Sequence, residues 1–313
     1  MLKQLHMLTL VVCMGAVLSA CQPKTNEPLE SSASEPVQTI PEVQEKKLVG
    51  KVERLSWDLP VCKAKNCAEI SVERLQSNYP FIDEWVDQQI LAQLKQIVDL
   101  DPVAALNNSP QDDHTATSEV MPVVSAKQQI EQHARPYIDG FLALDRELKA
   151  LSASQHLSVT IKPTILNSSA QLSTVVLNSS SYLGGAHGSS AQSYYHFDLN
   201  TEQRVQLKDI LLAKQEKALE KKAYEAFQAW VIDTELAENV KEYEEVWTFK
   251  LTDNFFITKE SLILQYAEYE IGPYVVGLPR LTIPLNELEG IVKPEYLPQT
   301  SAHSEAASDK ATL

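Results

Sequence analysis

The chain has 313 residues, of which 27 are basic and 42 acidic, for a formal net charge of −15. That balance excludes nucleic acid as the expected partner, because binding a phosphate backbone needs a basic surface. It permits a basic protein partner, or serves solubility alone, and the length suffices for one large domain or two modest ones.

The chain starts MLKQLHMLTLVVCMGAVLSAC. Lys3 precedes an apolar run from Leu8 to Leu18, and small residues lead into Cys21. A positive front, a short apolar stretch and small residues at a cleavage point make an export signal over residues 1–20, too short for a stable span. A cysteine at that point makes it a lipobox, with lipidated Cys21 as the new first residue and Cys13 discarded. Each buried acyl methylene contributes about 0.8 kcal/mol of membrane affinity, so several chains together anchor firmly. Gln22 in place of Asp follows the sorting pattern for an outer membrane. The expected location is therefore the bacterial cell envelope, lipid-anchored at the outer membrane and facing the periplasm. Residues 21–47 are rich in Pro, Ser, Glu and Thr and read as a flexible tether, and residues 294–313 as a flexible tail.

An N-terminal module is expected over 48–150 and a C-terminal one over 151–293. In the first, LVGKVERLSW forms a strand and AEISVERLQS a second, where the imperfect alternation of Ile70, Val72 and Leu75 predicts a bulge or early end. Between them Cys62 and Cys67 are spaced for a local disulfide, with a reactive thiol pair as the alternative. From Pro80 to Val98, Phe81, Trp85, Ile90, Leu94 and Ile97 recur at helical spacing, and Asp83 and Glu84 suit the positive helix end. A polar connection follows, then a second helix from Ala126 to Leu151 that Pro136 should bend or divide.

The period then changes to two. HLSVTIKPTIL, QLSTVVLNSSSYL and SSAQSYYHFDL predict three strands in an antiparallel meander, with GGAHG between the last two. After a turn at Asn200-Thr201 the segment from Val205 to Leu236 reads as one long helix. Strands return from Glu245, with turns at Thr252-Asp253-Asn254 and Lys259-Glu260, and GLPRLTIPLNEL supplies a last strand and a short helix. The expected fold class is α+β, helices packed on antiparallel sheets.

The sharpest local feature is Gly184-Gly185-Ala186-His187-Gly188. Its glycines permit positive φ or close backbone approach, and His187 either locks a strand connection or projects toward a partner. Tyr266, Tyr269, Tyr274 and Arg280 concentrate residue types favoured at interfaces, although a buried corner at Gly272-Pro273 explains them equally. His196 and Asp198 share a strand face, a pattern that suits a satisfied polar face more often than metal or acid–base work. Asp112-Asp113-His114 sits in a polar linker without a second histidine pair.

The stretch SSSYLGGAHGSSAQSYYHFDLNTEQRVQLKDIL resembles the Tyr-x-Gly-Gly-Ala-His-Gly segment of the anti-sigma-V (RsiV) family, and YEIGPYVVGLPRLTIPLNEL resembles its C-terminal signature. CAEISVERLQSNYPFIDEWVDQQI is similar to the accompanying module, which also precedes the catalytic domain of PdaC-type peptidoglycan deacetylases. The resemblance spans about residues 48–292 and implies an extracytoplasmic α+β domain that binds an envelope ligand, lysozyme in one branch. Neither a cytoplasmic sigma-binding segment nor a deacetylase domain is expected here. The function expected is a non-enzymatic envelope lipoprotein that binds a protein or the cell wall, with lysozyme, another basic envelope protein or peptidoglycan as partner. A peptidoglycan-modifying enzyme and a structural envelope scaffold are the alternatives. Candidate ligand-binding residues are Gly184, Gly185, His187, Gly188, Tyr269, Tyr274 and Arg280, with no metal or cofactor expected.

Overall fold

The computed structural model describes residues 46–62, 66–98, 124–151 and 155–297. The export signal, Cys21, most of the tether, Asp112 to His114 and the tail beyond Leu297 lie outside the described residues. No helix among the described residues is long and apolar enough to cross a membrane.

The fold is α+β, as expected, but its main sheet is mixed. Six strands lie in the order β1 (Gly50–Arg54), β2 (Glu69–Ser77), β3 (Ser158–Asn167), β4 (Ser173–Tyr182), β5 (Ser189–Asp198) and β6 (Gln203–Val205). The meander β3–β4–β5 is antiparallel, as its sequence implies. The all-antiparallel expectation fails at β2, which runs parallel to β3, Glu69 opposite Ser158. A parallel neighbour needs a crossover. The two helices α1 (Pro80–Val98) and α2 (Ala126–Ala150) stand between β2 and β3 in the chain. The expected bulge in β2 is also absent: its register against β1 is unbroken from Glu73 to Ser77, and the irregularity lies in β3, between Ile165 and Asn167.

The ends of α1 match the sequence pattern. The stripe that it buries is Ile82, Val86, Ile90 and Leu94, with Phe81, Trp85 and Ile97 half-buried at its margin. The helix α2 opens on a capping box in which Ser125 Oγ accepts from Gln128 N and Gln128 Oε1 accepts from Ser125 N. Pro136 stands inside α2 without dividing it. Both helices pack with Val72, Leu75, Val175 and Phe197 into a first core. A fully buried Val, Leu or Phe contributes about 1.5–3 kcal/mol, so this face specifies the register of the sheet. Arg74 is buried at its edge and donates from Nε and Nη2 to Asp87, with Glu53 3.6 Å away.

The segment expected as one long helix breaks up. Residues Gln203–Val205 join the sheet as β6, Leu207–Ile210 form a 3-10 turn, Leu211 bridges to Val292, and only Glu216–Asp233 is helix α3. The apolar residues Leu207, Ile210 and Leu211 are buried, but in a second core and not along a helix stripe. There Leu219, Ala223, Phe227 and Val231 of α3, one helix turn apart, pack on the antiparallel sheet β7 (Phe255–Ile257), β8 (Ser261–Gln265) and β9 (Arg280–Pro284). A short helix α4 (Val240–Glu244) follows α3, and residues before Asn254 that read as strand are irregular. Pro294–Tyr296, expected to begin the loose tail, form a 3-10 turn. The modules expected on either side of residue 150 share the six-stranded sheet, since β2 pairs with β3 across that position.

Candidate functional site

The outer edge of β5 joins the first core to the second. Beyond Tyr195 that edge pairs with β6, but before it no strand among the described residues covers the backbone. Side chains do so instead. Asn254 Oδ1 accepts from Tyr194 N at 2.8 Å while its Nδ2 donates to Gln192 O at 2.8 Å, and Glu268 accepts from Ser190 N at 3.0 Å. These contacts satisfy three of the backbone groups that an open edge would leave unpaired, Ser190 N, Gln192 O and Tyr194 N.

His196 lies on the same side of β5. It is 1% exposed, its Nε2 donates to Phe255 O at 2.7 Å and its Nδ1 accepts from the Thr174 hydroxyl at 3.0 Å. Burial pushes its pKa down to about 4, the Phe255 carbonyl partly opposes this, and the nearby Arg204 charge adds to it. The ring is thus neutral and fully used in joining β4 to β7. Asp198 is occupied separately, accepting from Asn200 N in the turn. Among the described residues, no group of three or more His, Cys, Asp or Glu is placed to hold a metal ion.

Arg280 belongs to this joint as well. Its Nε donates to Gln265 and its Nη2 to Gln192, each at 2.7 Å, and its guanidinium lies 5.7 Å from the Phe256 ring. Both polar contacts are intramolecular: the bond to Gln192 ties β5 to the second sheet, and the bond to Gln265 lies within that sheet.

The other candidates converge at the tip of the β4–β5 hairpin. Gly184 has φ +88°, a region that L side chains rarely adopt. A Cβ on Gly188 would stand 2.9 Å from Ser181 O, so glycine is required there for close approach. Gly185 has no such demand: a Cβ there would meet nothing nearer than 3.9 Å, and its carbonyl accepts from the Tyr182 hydroxyl.

His187 Nδ1 donates to Gly188 O at 3.0 Å, and its Nε2 is hydrogen-bonded to the Tyr269 hydroxyl at 3.1 Å. Gly188 O also accepts from the Tyr274 hydroxyl at 3.1 Å. The His187 ring stacks on Tyr274, centroids 3.8 Å apart, Tyr274 lies 5.8 Å from Tyr269, and Tyr269 lies 6.5 Å from Trp247. The result is a run of four near-parallel rings, in which the polar ends of His187, Tyr269 and Tyr274 are tied to one another or to the loop. Tyr269 holds φ +63°, uncommon for a bulky residue and costly by about 1–3 kcal/mol, so the surrounding structure must enforce it.

This run faces solvent. Tyr269 is 50% exposed, Val275, next to Tyr274, is 86% exposed, and Val246, next to Trp247, is 72% exposed. Glu270 beside it pairs with Lys250 at 3.2 Å. The structure therefore unites His187, Tyr269 and Tyr274 around the glycine loop and sets Arg280 in another role. Trp247 and the two valines were missed in the sequence. Val246-Trp247 follows an acidic run and reads as the start of a strand, and an apolar pair is silent about exposure until its neighbours are known. At the other end of the chain, Cys62 and Cys67 are joined as a disulfide.

A family described as "Protein of unknown function (DUF3298)" matches residues 208–286, a stretch that holds Tyr269, Tyr274 and Trp247 but not the glycine loop. No curated protein matches the chain. Among solved structures, a DUF3298 family protein of Pseudomonas aeruginosa PAO1 is similar with a TM-score of 0.52 and 22% identity, over 81% of this chain and 96% of that one. A member of the same family from Bacteroides fragilis NCTC 9343 gives a TM-score of 0.49 and 16% identity, over 79% and 92%. The Pseudomonas likeness shows a shared α+β fold.

Proposed function

We propose that the protein is a non-enzymatic envelope lipoprotein, held by lipid on Cys21, that binds a protein ligand on the rings of His187, Tyr274, Tyr269 and Trp247. The observation that carries this reading is the exposed ring stack, in which the polar ends of His187, Tyr269 and Tyr274 are already engaged within the protein. A fixed aromatic surface offers wide contact area with little side-chain freedom left to lose, which is the chemistry of interface hot spots. The net charge of −15 favours a basic partner and speeds encounter with it. Lysozyme, a strongly basic wall-directed protein suggested by the RsiV resemblance, is the ligand to test first.

Calorimetric titration of the full-length protein with hen lysozyme at moderate salt should give saturable binding. Tyr269→Ala should weaken it by about tenfold or more, the loss of roughly 1.4 kcal/mol or more expected of a hot-spot aromatic. Absence of binding by the wild type would remove lysozyme as the ligand, and unchanged binding by Tyr269→Ala would remove the ring stack. For the anchor, Cys21→Ser should release the exported protein from the membrane fraction, and retention there would defeat lipid anchoring.

A further inference from the structure

A second concave site lies on the opposite side of the same hairpin, between α1 and the ends of β4 and β5. It is a groove of about 250 Å³, with Gln93, Gln96 and Ile97 on the helix side and serines 179–181, 189 and 190 with Leu183 and Ala191 on the sheet side. None of its lining residues is charged or aromatic, in a chain where 22% of residues are charged.

The fold explains which atoms face the groove. Ser179 stands opposite Ala191 and Ser181 opposite Ser189, so these four side chains share the face of the sheet toward α1. Ser179 Oγ donates to Gln93 Oε1 at 3.3 Å, which leaves the Gln93 amide NH2 without a partner among the described residues. The hydroxyls of Ser181 and Ser189 likewise make no hydrogen bond within the described residues. The groove lies on the face of the sheet, where β4 pairs with β3 and β5 and Ser190 N is taken by Glu268, so it does not recruit an extended peptide by strand addition.

The chemistry narrows the ligand. A phosphate or carboxylate needs a cation, an ammonium needs a carboxylate or an aromatic face, and a nucleobase needs a ring to stack on, and the groove lining holds none of these. Hydroxyls and amides that both donate and accept match a ligand whose own groups do both. Ile97 and Leu183 supply apolar area for the C–H face of a ring. The volume is below the roughly 300–1,000 Å³ of drug-sized pockets, which limits the bound portion to a ring-sized unit. We infer that this groove is a binding site for a neutral saccharide unit, independent of the ring stack on the other side of the hairpin.

The test is saturation-transfer NMR and calorimetry on the full-length protein with N,N′-diacetylchitobiose and, as a charged counterpart, a sulfated disaccharide. The neutral disaccharide should bind and the sulfated one should not. Ala191→Trp fills the groove and Gln96→Glu places a carboxylate at its exposed rim; each should weaken binding about tenfold or more. If the tryptophan variant lowers the thermal midpoint, the glutamate variant decides, because Gln96 is exposed on its helix. Tyr269→Ala should leave saccharide binding unchanged. No binding of the neutral disaccharide at about 10 mM, a weaker affinity than roughly −3 kcal/mol, overturns the inference. So does undiminished binding by Gln96→Glu, preference for the sulfated sugar, or loss of binding in Tyr269→Ala. A failure to bind lysozyme leaves the inference untouched.

Discussion

Lowering the pH should destabilise this protein through His196 before most carboxylates respond. In the unfolded chain the imidazole titrates near 6.5, whereas in the fold it is held neutral until about pH 4. The sign follows from which state binds the proton. A folded pKa below the unfolded one means that the unfolded chain takes up the proton first. Stability is thus fully present above about pH 6.5, falls as the pH drops toward 4, and changes no further through this group below that. At about 1.4 kcal/mol per unit over that window, the loss is on the order of 3 kcal/mol. That is a large share of the roughly 5–15 kcal/mol by which a domain is stable. Since His196 joins Thr174 of β4 to Phe255 of β7, protonation would also deprive Nδ1 of its ability to accept from Thr174. Urea unfolding followed by tryptophan fluorescence between pH 7.5 and 4 measures this. His196→Gln retains an amide donor and a carbonyl acceptor but has no titration, so its curve carries only the remaining groups. The wild type should lose about 3 kcal/mol more than the variant across the window. Parallel curves for the two proteins would refute the assignment of His196 as a buried neutral tie.

Asn254→Ala should cost about 2–4 kcal/mol, because it strips partners from both Tyr194 N and Gln192 O, and denaturant titration at neutral pH reads it. Gly188→Ala drives a methyl to 2.9 Å from Ser181 O; it should lower the thermal midpoint and displace His187, seen as a shift of its ring resonances by NMR. Replacing Cys62 and Cys67 together by alanine should lower the unfolding midpoint by the equivalent of a few kcal/mol at most, since the loop they close is short. Ligand binding at the ring stack should survive that change.

What could be read from the sequence was mostly local. The bounds of α1 and the three-strand meander follow from periodicity, and the glycine loop announces itself because backbone geometry dictates glycine at Gly184 and Gly188. The parallel pairing of β2 with β3 left no local mark, since a strand's residues do not state the direction of a distant neighbour. The apolar spacing of Leu207, Ile210 and Leu211 satisfied a helix pattern although they are buried in the second core, with Leu211 bridged to Val292, far along the chain. Arg280 shows the same limit for the site. Its residue type suits an interface, but two glutamines, one of them on β5, have already taken its donors. Asn254 was legible only as a turn residue, although its amide substitutes for a missing strand.

The parallel pair also sets an order of events. Glu69 has no partner on its β3 side until Ser158 has been made and, for an exported chain, has crossed the membrane. The β1–β2 hairpin and α1 close through local contacts, whereas the β2–β3 junction must wait for all of α2 and bear the entropy of a long loop. During that interval the apolar Val72 and Leu75 of β2 stand beside an open strand edge. Any factor that shields nascent chains would meet this protein there, and refolding from denaturant should be limited by that junction and not by the later hairpins.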